Sequence, residues 1–171
     1  MKHVLIVGTQ GVGKSTLINK IKDELGRPVW GFETKKEKPA AKDKASPIYI
    51  YPAGKERVRG PDNLVGYCTE RSLEPVPEGF ERFAPYLAEE PPEGCVILMD
   101  EIGVAESAAT DFCRAILDKL DKDTLVIAAV KDKSTPFLNQ VRNHPNAKCF
   151  YINEENRGGL FSEVMDFLDH K

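Results

Sequence analysis

A lysine and a hydroxyl stand directly behind a run of glycines near the start of the chain. Gly8-Thr9-Gln10-Gly11-Val12-Gly13-Lys14-Ser15-Thr16 fits the pattern G-x-x-x-x-G-K-[ST] throughout. Glycines let a short loop turn its backbone N–H groups inward around an anion. Residues 8–16 are therefore candidate phosphate ligands. Lys14 is placed to reach the β- and γ-phosphates, and the Ser15 hydroxyl to ligate Mg²⁺. An apolar run, Val4-Leu5-Ile6-Val7, precedes the loop and a helical pattern follows it. A strand, a loop and a helix N-terminus in that order build an anion site from the backbone itself.

Far downstream, Val96-Ile97-Leu98-Met99-Asp100-Glu101 is an apolar strand that ends in two carboxylates. Ligands of nucleotide-binding parallel sheets sit at the carboxyl ends of strands. Asp100 is thus a candidate Mg²⁺ ligand beside Ser15, usually acting through water. Glu101, one residue on, is a candidate base for an attacking water. Such a glutamate favours hydrolysis, whereas small-molecule kinases usually present an arginine-rich lid, and no dense one is visible. For transition-state charge the candidates are Arg157 first, then Arg142 and Arg114. Lys131, Ser134 and Thr135 are candidate γ-phosphate sensors at the end of a later strand.

The elements that must hold these groups follow from the apolar pattern. Residues 3–7 read as a strand, and the next helix carries Leu17, Ile18, Ile21 and Leu25 at helical spacing before Gly26 ends it. Residues 28–32 read as a short strand. Residues 33–46, ETKKEKPAAKDKAS, read as a solvated loop or hairpin tip. The alternative is a basic flap of Lys35, Lys36, Lys38, Lys42 and Lys44, whose charge Glu33, Glu37 and Asp43 dilute. Residues 47–52, bracketed by prolines, read as an edge strand. The Pro- and Gly-rich stretch 54–92 is too long for a plain loop and should hold small strands and a short helix. Residues 95–99, 125–130 and 148–152 read as further strands, the first as a buried parallel one. Between and after them come a helix capped by Ser107 with Phe112, Ile116, Leu117 and Leu120, and a short one opened by Thr135-Pro136. A last helix carries Leu160, Val164, Phe167 and Leu168. This alternation predicts a parallel sheet with helices on both faces, a three-layer α/β fold in one domain over residues 1–171.

Composition removes several partners. A net charge of −3 and a pI near 5.7 give no global electrostatic case for nucleic acid or an anionic membrane. No apolar run approaches the roughly 18 residues of a transmembrane helix. The N-terminus is briefly like a secretory leader, but Lys14 interrupts it and no cleavage site follows, so the expected location is cytoplasmic. Cys68, Cys95, Cys113 and Cys149 contain no C-x-x-C pair and read as reduced, mostly buried thiols. His3, His144 and His170 form no ligand pattern; His3 reads as structural and the other two as solvent-facing.

Met99-Asp100-Glu101-Ile102-Gly103 followed by Glu106, Gly31-Phe32-Glu33-Thr34 after the first helix, and Asn156-Arg157-Gly158-Gly159-Leu160 after a strand carry a resemblance. Together they are similar to the small nucleoside-triphosphatase family described from thermophiles and as a cancer-related NTPase. The resemblance spans nearly the whole chain. It implies a RecA-like P-loop fold, with a mostly parallel sheet and small β-hairpin insertions. It also implies slow hydrolysis of ATP, GTP and other nucleoside triphosphates to diphosphate and phosphate with Mg²⁺. The chain departs from the family pattern at Val104, where Lys is common, at Glu33, where an aromatic is usual, and in the Lys- and Ala-rich segment after Thr34. These positions touch the flap and the base-binding region and leave the phosphate machinery intact. Two other readings stay open: a small-molecule P-loop kinase with an acceptor pocket within residues 54–92, and an ATP- or GTP-binding accessory module whose slow hydrolysis a protein partner controls. No guanine-specific Asn-Lys-x-Asp motif is present; Val130-Lys131-Asp132-Lys133 only loosely resembles one.

Overall fold

Successive residues of a strand point to opposite sides of its sheet, and continuous apolar strands use this to build two cores at once. The computed structural model describes residues 1–42 and 44–170; Asp43, counted above among the acids of the Lys-rich segment, lies outside the described residues. In chain order the elements are β1 His3–Gly8, α1 Lys14–Leu25, β2 Val29–Lys36, β3 Ser46–Pro52, a 3-10 turn Pro61–Asn63, β4 Leu64–Cys68 and β5 Leu73–Pro75. They continue with α2 Pro77–Ala88, β6 Val96–Ile102, α3 Thr110–Leu120, β7 Val126–Lys131, α4 Pro136–Arg142, β8 Ala147–Tyr151 and α5 Leu160–Asp169.

The strands form one sheet in the order β5-β4-β3-β2-β6-β7-β1-β8. From β2 to β8 the neighbours are parallel, and β3, β4 and β5 add an antiparallel meander beyond β2. One strand, β7, separates the loop-bearing β1 from the acidic β6. Leu5, Val7, Ile97 and Met99 face a core closed by Phe80, Phe112 and Leu138 of α2, α3 and α4. Val4, Ile6, Val96 and Leu98 face the other core, closed by Ile18 and Ile21 of α1 and by Leu160 and Val164 of α5. Three layers result, as the alternation of strands and helices predicts.

Several local expectations change for tertiary reasons. Residues 47–52 form an interior strand between β2 and β4 instead of an edge. Their prolines are the second and last residues of β3, so the missing N–H groups fall near its ends. Residues 33–36 continue β2, which carries Lys35 and Lys36 toward the functional edge of the sheet. Ser107 does not cap α3, which starts at Thr110. Glu81 of α2 reaches across instead, accepting the Phe112 N–H at 3.1 Å and the Asp111 N–H at 3.4 Å.

His3 is fully buried at the start of β1. Its Nδ1 accepts the Val126 N–H at 3.1 Å, which leaves the proton on Nε2 to be donated to the Leu120 carbonyl at 2.9 Å. The ring is a neutral bolt between β1, β7 and the end of α3, the structural part expected of it. His144 is half-buried rather than solvent-facing, donating from Nε2 to Asp121 at 2.8 Å and accepting the Asn146 N–H at Nδ1. His170 is exposed. The four thiols are free, one buried and three half-buried. Burial pushes the Cys113 thiol up to about 12, helped by the Glu106 and Glu81 carboxylates, which makes it a poor nucleophile.

β2 passes so close to β6 that only glycine fits at one position. Gly31 has φ +127°, and a Cβ there would lie 2.1 Å from the Leu98 carbonyl oxygen. Gly31→Ala should therefore lower stability by about 3 kcal/mol or more, from backbone strain plus the clash. Urea unfolding monitored by Trp30 fluorescence checks this, and a wild-type midpoint would contradict the close approach.

Candidate active site

Parallel register delivers the carboxyl ends of β1, β2, β6 and β7 to one edge of the sheet. β1 leads into the glycine loop, which turns at Gly13 with φ +111°, a conformation that a Cβ disfavours. α1 then begins at Lys14 with no side-chain cap and no acid in its first turn. The start of α4 is different, because Thr135 Oγ1 caps it by accepting the Leu138 N–H at 3.1 Å. The first turn of α1 thus presents its backbone donors and positive dipole end to whatever the loop holds.

Lys14 is 5% exposed, and its Nζ donates to the Gly8 carbonyl at 2.6 Å and the Thr9 carbonyl at 2.8 Å. The same ammonium lies 3.0 Å from Glu101 Oε2. Next to it, the Ser15 hydroxyl donates to the Asp100 carboxylate at 3.1 and 3.2 Å. Lys14, Ser15, Asp100 and Glu101 therefore meet in one recess, walled on the far side by Thr34 and Lys35 of β2.

Glu101 owes its position to a break in the ladder. Asp100 pairs with Ala129 and Ile102 with Val130, so Glu101 bulges out of register with β7. A bulge re-aims a side chain, here toward Lys14. The Asp100–Glu101 peptide is cis. Thr34 Oγ1 accepts the Glu101 N–H at 3.3 Å, and Lys131 Nζ stands 3.8 Å from Glu101 Oε1. The carboxylate is thereby held between two ammonium groups.

Asp100 is buried, and desolvation raises its carboxyl above the usual range, opposed by the charge of Lys35 and by the Ser15 hydroxyl. A buried carboxylate touching a hydroxyl is a hard oxygen pair of the kind Mg²⁺ accepts. A divalent cation there would offset the charge that burial has left undersolvated, so these residues fit the ion.

The other candidates separate. Arg157 lies in the turn after β8, its Cδ 3.9 Å from where a Gly13 Cβ would stand, beside the glycine loop. Asn153 and Asn156 lock that turn by accepting each other's backbone N–H at 2.8 Å. Arg142 instead binds the Lys131 carbonyl and Asn139, and Arg114 pairs with Asp111 on the outer face of α3. Thr135 is occupied as a cap, Ser134 accepts from Asn139 at 3.4 Å, and of the proposed sensors Lys131 is the one beside Glu101. Between the loop and β8, a second recess of about 430 Å³ is lined by Thr9, Asp132, Tyr151 and Asn153.

Two further residues reach the site: Lys35, one of the lysines of the candidate flap, and Glu106, quoted above only as part of the resemblance. Glu106 Oε2 accepts the Gly103 N–H at 3.0 Å, and burial pushes its carboxyl up to about 7. The native state thus keeps a proton that the unfolded chain, near 4.5, releases earlier. Stability is then lost as pH rises from about 4.5 to about 7, and the loss is complete above that. Glu106→Gln removes this ionisation. Its stability advantage over wild type should grow across that window, by up to about 3 kcal/mol, and level off above it. Thermal unfolding of both proteins from pH 4 to 8 measures the difference; a gap independent of pH would contradict the assignment.

Comparison with known proteins gives the family. The sequence model of the NTPase family matches residues 3–165, from the first strand into the last helix. A nucleoside-triphosphatase THEP1 of Thermotoga maritima is 31% identical over 173 residues, covering 96% of this chain and 94% of that protein. The human cancer-related nucleoside-triphosphatase is 28% identical over 190 residues, covering 96% and 95%. The crystal structure of THEP1 from the hyperthermophile Aquifex aeolicus shares the fold, with a TM-score of 0.68 at 22% identity over 98% of this chain and 99% of that one. With the family model matched over residues 3–165 and a relative 31% identical across 96% of its length, the chain belongs to the NTPase family.

Proposed function

We propose that this family member is a Mg²⁺-dependent nucleoside triphosphatase, a single P-loop unit over residues 1–171 that hydrolyses ATP and GTP to diphosphate and phosphate. The observation that carries the reading is the contact of Lys14 with Glu101 at 3.0 Å beside that of Ser15 with Asp100 at 3.1 Å. A phosphate-binding cation, a base and a pair of hard oxygen donors then share one recess.

In this reading residues 8–16 and the first turn of α1 hold the phosphates, and Lys14 exchanges Glu101 for a γ-phosphate oxygen. Ser15 and Asp100 would hold Mg²⁺, which supplies charge neutralisation to the β- and γ-phosphates when bound. Glu101, released from Lys14 and still backed by Thr34, accepts a proton from water as the water oxygen attacks the γ-phosphorus. The bond from that phosphorus to the bridging oxygen breaks, and its electron pair leaves with the diphosphate. Arg157 stands over the loop to offset the developing charge. The nucleobase occupies the recess between Thr9, Asp132, Tyr151 and Asn153, on the β8 side of the loop and away from Val104 and Glu33 where the resemblance put it, and its polar and aromatic groups suit more than one base. No helix among the described residues is long and apolar enough to cross a membrane. We place the protein in the cytoplasm, where nucleoside triphosphates are abundant and thiols stay reduced.

Glu101→Gln should lower phosphate release by about a hundred- to ten-thousand-fold while nucleotide binding is retained. Turnover equal to wild type would refute Glu101 as the base. Lys14→Ala should lose nucleotide binding itself, measured by titration with a fluorescent nucleotide. EDTA should abolish phosphate release from ATP and GTP, and added Mg²⁺ should restore it; hydrolysis that persists in EDTA rules out the metal requirement.

A further inference from the structure

A cavity of about 350 Å³ opens beside the recess that holds Lys14 and Ser15. The two share Glu101, Thr34 and Gln10 as walls. Its floor is apolar and comes from three elements: Ile48 of β3, Val65 of β4 and Phe80 of α2. Its rim is cationic, with Lys36 at the end of β2, Lys131 at the end of β7 and Arg71 at the tip of the β4–β5 hairpin. That tip is a closed turn: Thr69 Oγ1 accepts the Ser72 N–H at 3.0 Å and the Arg71 N–H at 3.3 Å, and the Thr69 N–H reaches the Ser72 carbonyl at 2.9 Å. Arg71 is thus presented from an ordered backbone.

The charges around the cavity do not cancel locally. Glu101 is answered by Lys14 and Lys131. Glu106 is buried against the Gly103 N–H, and its raised carboxyl is only partly ionised at neutral pH. Lys36 and Arg71 enter no ion pair among the described residues. Two uncompensated cations over an apolar floor describe a site for an amphiphilic anion.

We propose that this cavity is a second ligand site, for a small organic acid whose carboxylate or phosphate meets Lys36 and Arg71 and whose apolar body rests on Ile48, Val65 and Phe80. An occupant covers the part of Glu101 that lines this cavity and restricts the approach of water, so it slows hydrolysis. The slowing rests on the role proposed for Glu101; the binding does not.

Phenyl phosphate is the probe, added to the full chain with amide NMR shifts as the first readout. It should shift Gly66, Ser72, Gly103 and Ala105 with a Kd of about 1 mM or tighter. Lys14→Ala should keep these shifts, and the double variant Lys36→Ala/Arg71→Ala should weaken binding by about tenfold or more. Benzoate acting in the same way shows that a carboxylate suffices; phenyl phosphate acting alone assigns the site to phosphate esters. As the second readout, phosphate release from ATP should fall as phenyl phosphate rises in wild type, and not in the double variant, whose basal rate should match wild type. Arg71→Ala alone, at an exposed hairpin tip, serves if the double variant does not fold. Absence of binding, shifts confined to Gly11 and Gly13 and lost in Lys14→Ala, binding indifferent to Arg71, or turnover unchanged at saturation would each overturn the proposal. If the protein hydrolyses nothing, the NMR shifts still decide whether the second site exists.

Discussion

Lys14 and Glu101 approach to 3.0 Å because β1 and β6 run in the same direction, one strand apart, and release their following residues over the same edge of the sheet. Both groups are largely withdrawn from water, as is Asp100 beside them. Away from water each charge depends heavily on its immediate partners, and an orphaned one costs several kcal/mol. Two adjacent carboxylates can persist there only with cations interleaved, and the fold brings three from three elements: Lys14 from α1, Lys35 from β2 and Lys131 from β7. Glycine turns, the bulge at Glu101 and the parallel register all serve that arrangement.

β2 is where the phosphate recess and the neighbouring cavity are joined. Gly31 lets it lie against β6, Thr34 steadies the Glu101 backbone, and Lys35 and Lys36 reach different cavities from adjacent positions. Glu33, opposite Asp100 in the ladder, is held by Arg57 at 3.0 Å. Consecutive residues of one strand thus divide between chemistry and support, as alternation on a pleated backbone requires.

What could be read before folding was whatever the chain writes locally. The glycine loop, the apolar strand ending in Asp100 and Glu101, and the periodic faces of α1 and α5 are short-range patterns, and each forms as expected. Contributors set by tertiary contact were not readable in the same way. Nothing near Ser107 announces that α3 will be capped by Glu81 from another helix. Prolines around residues 47–52 suggest an exposed edge, yet β4 and β5 pair beyond them. Arg142 and Arg114 matched Arg157 in type, and only the turn locked by Asn153 and Asn156 sets Arg157 beside the loop. Thr34 was visible as part of a short motif, but its acceptance of the Glu101 N–H depends on β2 and β6 being neighbours. The role implied for Lys35 arises from the pairing of β2 with β6 and that of Glu106 from burial, neither of which a short window of sequence contains.

The strand order also bears on how the molecule is made. β1 is made before the other strands of its sheet, yet both of its neighbours, β7 and β8, are the last two strands to follow. The meander of β2 to β5 joins by hairpins and needs only nearby residues, so it can close early, whereas β1 must wait for long-range pairing. Until β7 and β8 are made, the apolar Val4-Leu5-Ile6-Val7 segment has no strand to pair with. A nascent chain of this topology carries an apolar segment unpaired until β7 and β8 follow, and that segment is the one that delivers the glycine loop.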